Sequence, residues 1–301
     1  MRHFLMILVS GLLLFGCLGP AEAGQPPPAQ PQQPQEINVP TDATPAEPEQ
    51  ETPVAQPEAP ESTPEPEPEA PPAETEGYRS REISYKTQDA WEIHGTLYYA
   101  DLERPETAII LLHGYGQDRS SWDPLVPVLR ERLSDMDLVV LDMRGHGESD
   151  NINPYDKLSS GELIAMDKDI AGAIPYLQTI RPDLEAFYLV GASIGSSAAI
   201  KYAVNDNRIK KVVMISPGLE YRGVRIERYT GDYIRQLYLT AAYGDEYSRN
   251  SADDIYDESP SDEKELKIYY EAGNAHGTEL FAATANTMEP LTELIADWLQ
   301  K

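Results

Sequence analysis

From residue 78 to the end of the chain, short apolar runs alternate with longer segments whose apolar residues recur at helical spacing. Most of the runs are four or five residues long and continuous, which is typical of strands buried on both faces of a parallel sheet. An opening antiparallel pair is predicted at residues 82–86 and 92–99, where the second segment alternates apolar and polar positions. The other predicted strands cover residues 108–112, 138–141, 187–190, 212–215, 237–241 and 266–270.

Predicted helices separate these strands, at residues 121–133, 161–177 and 194–204. The clearest helix ends the chain, because Pro290 suits a first turn and the apolar residues after it fall on one helical face. These residues are Leu291, Leu294, Ile295, Trp298 and Leu299. Alternating strands and helices indicate an α/β domain. We therefore expect one domain at residues 78–301, with a mostly parallel sheet of about eight strands and helices on both faces.

The preceding segment has a different composition. Residues 18–77 are rich in Pro, Glu, Gln, Ala and Thr and contain no Lys or Arg. Such a composition does not bury enough apolar surface to offset the entropy lost on ordering. Its prolines and like charges favour an extended chain. We therefore expect residues 18–77 to be a disordered linker.

Residues 1–17 have the pattern of a secretory signal peptide. Arg2 supplies positive charge, and the largely apolar stretch at residues 4–15 is shorter than the roughly 20 residues of a membrane-spanning helix. The stretch ends at Cys17, the only cysteine, so a disulfide within the chain is excluded. Residues 14–17 resemble the lipobox of prokaryotic lipoproteins, which implies acylation of Cys17. An uncleaved signal anchor is the alternative, and both tether the domain to the outer face of the cell membrane.

The acidic balance of the chain limits its partners. The formal net charge is −27, and residues 78–301 alone carry −15. Proteins that bind nucleic acid or anionic surfaces need clustered Lys and Arg to contact phosphates. We therefore expect no nucleic-acid partner.

A candidate nucleophile lies between a predicted strand and a predicted helix. Gly191-Ala192-Ser193-Ile194-Gly195 follows the run at residues 187–190 and precedes a segment of small residues. This is the strand–turn–helix context of a G-x-S-x-G nucleophile elbow. The turn strains the serine backbone, and side chains at the two glycines would clash with neighbouring backbone. The sequence thus predicts that the Ser193 hydroxyl stands at a helix start, whose dipole favours a developing oxyanion.

A second glycine-containing segment, His113-Gly114-Tyr115-Gly116, follows the predicted strand at residues 108–112. Together with the elbow, it resembles the α/β-hydrolase superfamily, in which a His-Gly segment after the third strand donates a backbone N–H to the oxyanion hole. The resemblance implies an α/β-hydrolase fold. It also implies that the N–H groups of Tyr115 and Ile194 form the oxyanion hole.

Residues 142–149 are similar to the D-x-R-G-H-G-x-S turn of the same superfamily. In those relatives, the charged and glycine residues of the turn shape a loop and are not catalytic. We therefore expect Asp142 and His146 to have structural roles.

A serine hydroxyl needs a base to take its proton and a carboxylate to orient that base. His276 follows the last predicted strand and precedes the terminal helix, which is the place of the catalytic histidine in the superfamily. Asp245 follows the strand at residues 237–241, the superfamily's usual place for the acid. The chain order Ser, acid, His is kept. Glu246 and Glu220 remain alternatives for the acid.

The resulting prediction is a serine hydrolase that cleaves an ester of a small-molecule acyl substrate through an acyl-enzyme. A peptidase or thioesterase would use the same residues, and a non-catalytic surface binding protein is a further alternative. No metal or other cofactor is expected, because the chain has no His/Cys cluster with ligand spacing. About twenty residues separate Ser216 from the next predicted strand, which leaves little room for a helical lid. In this respect the chain resembles lid-poor esterases and the dienelactone-hydrolase-like group, which has cysteine where Ser193 stands.

Overall fold

The computed structural model describes residues 73–75, 77–149 and 152–301, all of which lie in one compact unit, residues 66–301. The expected signal peptide, the acylation of Cys17 and nearly all of the predicted linker lie outside the described residues and stay predictions. The three described residues 73–75, within the predicted linker, form a strand.

The described strands form a large sheet and a small hairpin. The sheet has nine strands in the order β1-β2-β3-β5-β4-β6-β7-β10-β11, and β8 pairs only with β9. The strands are β1 (Ala73–Thr75), β2 (Tyr78–Lys86), β3 (Glu92–Tyr98), β4 (Thr107–Leu112), β5 (Asp137–Asp142), β6 (Ala186–Ala192), β7 (Ile209–Ile215), β8 (Glu220–Tyr221), β9 (Val224–Arg225), β10 (Gln236–Ala242) and β11 (Lys264–Tyr269).

The sheet is antiparallel at one edge and parallel over the rest. Neighbouring strands from β1 to β5 pair antiparallel, whereas all pairs from β5 through β4, β6, β7 and β10 to β11 are parallel. The predicted mostly parallel sheet is confirmed. Because parallel strands all end at one edge, the loops after β4, β6, β7, β10 and β11 meet there.

Helices cover both faces of this sheet. They are α1 (Val126–Arg132), α2 (Ser160–Ile164), α3 (Asp167–Ile180), α4 (Ile194–Ala203), α5 (Glu227–Asp232), α6 (Glu246–Glu258), α7 (Glu279–Thr284) and α8 (Leu291–Gln300). The expectation of one helix at residues 161–177 is wrong, because α2 ends at Ile164 and α3 begins at Asp167. A capping box formed by Ser159 and Glu162 fixes the start of α2. Among the described helices, none is long and apolar enough to cross a membrane.

Successive residues of the central strands enter two different cores. In β4, Ile110 and Leu112 pack in the core beneath α3, α4 and α6, whereas Ile109 and Leu111 pack in the core beneath α1, α7 and α8. Side chains alternate across a strand, so a strand covered on both faces must be apolar throughout. This explains the continuous apolar runs in the sequence and confirms helices on both faces.

Candidate active site

The turn between β6 and α4 holds Ser193 in an unusual backbone conformation, with φ 52° and ψ −120°. Two glycines allow the chain to pack around it. A Cβ at Gly195 would lie 2.1 Å from the carbonyl oxygen of Leu112, and a Cβ at Gly191 would lie 2.5 Å from the carbonyl carbon of Gly195. Real Cβ atoms do not approach backbone so closely, so only glycine fits these positions.

The loop between β11 and α7 brings His276 to this serine. The Nε2 atom of His276 lies 2.8 Å from Oγ of Ser193, although 83 positions separate the two residues. Its Nδ1 atom lies 2.6 Å from Oδ2 of Asp245. A hydroxyl, an imidazole and a carboxylate therefore form one hydrogen-bonded series.

Asp245 lies in the loop after β10 and caps the N-terminus of α6, where its carboxylate accepts a hydrogen bond from the Ser248 N–H. Burial raises the pKa of the Asp245 carboxyl, but the hydrogen bonds from His276 and Ser248 outweigh burial and hold the pKa below its ordinary value. An ionised carboxylate only accepts hydrogen bonds, so Nδ1–H of His276 donates to it. In the neutral ring, Nε2 is then free to accept from the Ser193 hydroxyl.

The other two carboxylates that the sequence left open have different surroundings. Glu246 is the exposed first residue of α6. Glu220 lies in β8, and its Oε1 atom accepts a hydrogen bond from the N–H of Gly223. Of the three candidates, Asp245 is the one in hydrogen-bonding contact with the imidazole of His276.

Backbone packing sets the distance between the acid loop and the histidine loop. The N–H of Gly244 donates to the carbonyl oxygen of Gly273 at 2.9 Å. A Cβ at Gly244 would lie 2.4 Å from that same oxygen, so the two loops touch without an intervening side chain. The separation of Asp245 and His276 is thereby fixed by main-chain contact.

A pocket of about 430 Å³ opens at Ser193 and His276. Tyr115 and Ile194, the two residues predicted to donate oxyanion hydrogen bonds, both line it. Ile194 is the first residue of α4, and the first N–H groups of a helix have no acceptor within the helix. The structure thus places all five predicted site residues of the folded domain around one pocket.

Two polar residues outside the predicted site connect these loops. Gln117 accepts a hydrogen bond from the N–H of Gly114 at 3.1 Å and donates to the Thr278 hydroxyl at 3.0 Å, so it links the loop after β4 to the histidine loop. Ser216, directly after β7 and at φ 48°, accepts from the N–H of Gly277 at 2.9 Å. Ser216 could have been found from the sequence, because it is a polar residue directly after a predicted parallel strand. The sequence around Gln117 contains no comparable signal.

The histidines of the two glycine-rich loops support the backbone instead of contacting Ser193. Nε2 of His113 accepts from the N–H of Met143 at 2.9 Å, and Nε2 of His146 accepts from the N–H of Gly116 at 3.0 Å. Burial, together with the neighbouring His146, lowers the pKa of His113 to about 3. Burial also lowers the pKa of His146, despite hydrogen bonds to nearby backbone groups. Both rings are therefore neutral at physiological pH.

The turn at residues 142–149 is held by buried charges. The Asp142 carboxylate accepts hydrogen bonds from the N–H groups of Arg119 and Glu148. Arg144 is fully buried and pairs with Asp169 and Asp89 at 2.8 and 2.9 Å. Neither Asp142 nor His146 lines the pocket.

The stretch between β7 and β10 contributes only small elements. It holds the β8–β9 hairpin and the six-residue helix α5. The hairpin residue Tyr221 lines the pocket. As expected from the length of the stretch, no helical lid covers the pocket among the described residues.

Comparisons with known proteins agree with this architecture. Residues 107–252 match a family described by the alpha/beta hydrolase fold. Protein phosphatase methylesterase 1 from Gibberella zeae is 28% identical over 131 residues, which are 42% of this chain and 32% of that protein. Thiohydrolase aneE from Aspergillus aculeatus is 25% identical over 140 residues, 46% of this chain and 42% of that protein. The chain thus spans about a third to two fifths of the length of these relatives.

Solved structures resemble the chain over a greater length. Esterase Pf2001 from Pyrococcus furiosus superposes with a TM-score of 0.61 and 16% identity, covering 74% of this chain and 91% of that chain. Dienelactone hydrolase from Anabaena variabilis gives a TM-score of 0.58 and 16% identity, covering 74% of this chain and 97% of that chain. The predicted fold class is confirmed by these likenesses and by the family match.

Proposed function

We propose that this chain, a hydrolase of the α/β-hydrolase fold, cleaves carboxylic esters with Ser193 as nucleophile, His276 as general base and Asp245 as the acid that orients His276. The observation that carries the proposal is the hydrogen-bonded series from Ser193 through His276 to Asp245, with distances of 2.8 and 2.6 Å. Such a series activates a hydroxyl that is otherwise a weak nucleophile.

The proposed reaction proceeds in two steps. Nε2 of His276 takes the hydroxyl proton as Oγ of Ser193 attacks the ester carbonyl carbon. The N–H groups of Tyr115 and Ile194 donate hydrogen bonds to the resulting oxyanion. Donors already aimed at the oxygen on which negative charge develops stabilise the transition state. His276 then gives its proton to the departing alcohol oxygen, which leaves an acyl group on Ser193. His276 then takes a proton from a water molecule as the water oxygen attacks the acyl carbon, and it returns that proton to Oγ of Ser193 as the bond between Oγ and the acyl carbon breaks and the acid leaves.

A substrate panel separates ester hydrolysis from its alternatives. The purified chain is assayed with p-nitrophenyl acetate and butyrate, with acetylthiocholine, and with aminoacyl p-nitroanilides, and a fluorophosphonate probe tests for an activated serine. We expect turnover of the short esters, little turnover of the anilides and covalent labelling. Faster thioester or anilide turnover would favour a thioesterase or a peptidase. A chain with neither turnover nor labelling would be a surface binding protein on this fold.

We also propose that Cys17 is acylated and holds the domain at the outer face of the membrane, a proposal that depends on residues 1–17 alone. When the full chain is expressed in bacteria fed an alkyne analogue of palmitate, we expect it to take up the label and to sediment with membranes. Replacing Cys17 by alanine removes the only thiol and should abolish labelling. Sedimentation of that variant with membranes, without label, would indicate an uncleaved signal anchor.

A further inference from the structure

The turn of the β8–β9 hairpin holds an arginine at a position where asparagine or glycine is usual. Between β8 and β9, Arg222 and Gly223 have φ angles of 49° and 91°. Two-residue hairpin turns with both central φ angles positive favour Asn-Gly, because most side chains are strained in this region. An arginine at the first position breaks that preference. Local strain of this kind points to a use for the side chain.

Contacts on two sides hold the hairpin against the pocket. On the acid side, the hydroxyl of Tyr247 accepts from the Glu220 N–H at 2.9 Å and donates to the Glu220 carbonyl at 2.5 Å. On the opposite side, the guanidinium of Arg222 lies 4.8 Å from the ring centre of Tyr115 and donates a hydrogen bond to its hydroxyl. Tyr115, Tyr221 and Tyr247 all line the pocket. Arg222 itself is exposed and does not line the pocket, but its guanidinium is held against Tyr115, which does.

The positive charge of Arg222 has no carboxylate partner among the described residues. Within the described ranges Arg222 forms no salt bridge, unlike Arg119 and Arg144. The exposed Arg225 of the same hairpin also forms none there, and Arg222 differs from it by its contact with Tyr115 of the pocket lining. No Lys or Arg is among the residues that line the pocket. In a domain with a formal charge of −15, this guanidinium is a positive charge beside a pocket whose lining includes Asp245 and Glu279.

We propose that Arg222 selects ester substrates that carry a free carboxylate, an inference that rests on the proposed esterase function. A guanidinium offers parallel N–H donors that match the two oxygens of a carboxylate. The guanidinium contacts the hydroxyl of Tyr115, and the backbone N–H of the same residue is assigned to the oxyanion, so the two groups are one tyrosine side chain apart. The carboxylate bound by Arg222 therefore belongs to the same small molecule, a few bonds from the scissile carbonyl. Half-esters of short dicarboxylic acids have this arrangement.

The test compares anionic and neutral esters of equal length. Turnover of the monomethyl esters of succinic, glutaric and adipic acids is measured beside that of the corresponding dimethyl esters. The main variant is Arg222→Asn, because asparagine removes the charge and suits the turn. Arg222→Lys keeps the charge without the planar donors. Arg225→Gln is the matched control, since Arg225 is an exposed arginine of the same hairpin.

We expect Arg222→Asn to lower the ratio of kcat/KM for monomethyl over dimethyl esters by about fivefold, which is the effect of losing one solvent-exposed ion pair. Most of this change should lie in KM. Arg222→Lys should have an intermediate ratio and Arg225→Gln the wild-type ratio. An unchanged ratio in Arg222→Asn would overturn the inference. An equal loss for both ester classes would also overturn it, because Arg222 would then only position Tyr115. No turnover of any ester by the wild type would contradict the proposed function and this inference together.

Discussion

Replacing Ser193 by alanine is expected to lower kcat for p-nitrophenyl butyrate by about 10⁴- to 10⁶-fold, the range for removal of an activated serine nucleophile. The remaining rate would come from the oxyanion donors and from substrate binding. KM should change little, because the hydroxyl contributes to bond formation more than to ground-state binding. Steady-state kinetics with protein free of contaminating esterase measures this effect.

Covalent labelling gives an independent readout of the same change. The fluorophosphonate probe should label the wild type and fail to label Ser193→Ala. Ser134→Ala is a suitable control, because Ser134 lies in the loop between α1 and β5 and does not line the pocket. Full activity in a correctly folded Ser193→Ala variant would exclude the proposed nucleophile.

Replacing Asp245 by asparagine is expected to lower kcat by about 10⁴-fold, because an amide favours the wrong tautomer of the neighbouring histidine. Asparagine still caps a helix, so α6 should keep its N-terminus and the loss should be one of activity. Glu246→Gln and Glu220→Gln are matched controls, since each removes one of the carboxylates that the sequence left as alternatives. Activity near wild type in Asp245→Asn, with loss in either control, would reassign the acid.

The same variant has an expected effect on stability that depends on pH. A carboxyl whose pKa is lower in the folded chain stabilises the fold above its unfolded pKa, and this contribution is lost as the pH falls through the folded pKa. Because the pKa of Asp245 is lowered in the folded chain, the Tm of the wild type should be higher than that of Asp245→Asn near neutral pH. The difference should shrink below about pH 3.9, the ordinary value for aspartate. A difference in Tm that is independent of pH would contradict an ionised Asp245.

Much of the central sheet could be predicted because each strand carries its own signal. The apolar runs of β4, β5, β6 and β7 are continuous since both of their faces are covered, and continuous runs are visible without knowledge of partners. The elbow at Ser193 was recognisable for the same reason, because strand, turn and helix are neighbours in sequence. Local features of this kind need no tertiary information.

Features that depend on contacts between distant segments could not be predicted. Gln117 contacts Thr278 across 161 positions, and nothing near Gln117 in the sequence indicates that partner. Arg144 belongs to the turn that the resemblance predicts at residues 142–149, but its pairing with Asp169, which is fully buried in α3, is visible only in the fold. The break between α2 and α3 could not be predicted either, because Leu163, Met166 and Ile170 keep helical spacing across it although α2 ends at Ile164 and α3 begins at Asp167.

The main-chain contact between Gly244 and Gly273 has a practical consequence for altering this protein. Mutagenesis libraries aimed at new substrates should leave both glycines unchanged, since any side chain at residue 244 would push the acid away from its histidine and residue 273 has a φ of 61°, which favours glycine. The exposed hairpin residues Tyr221 and Arg225 have no such main-chain contact with the acid or the histidine, so randomising these two positions can vary selectivity with the least risk to turnover.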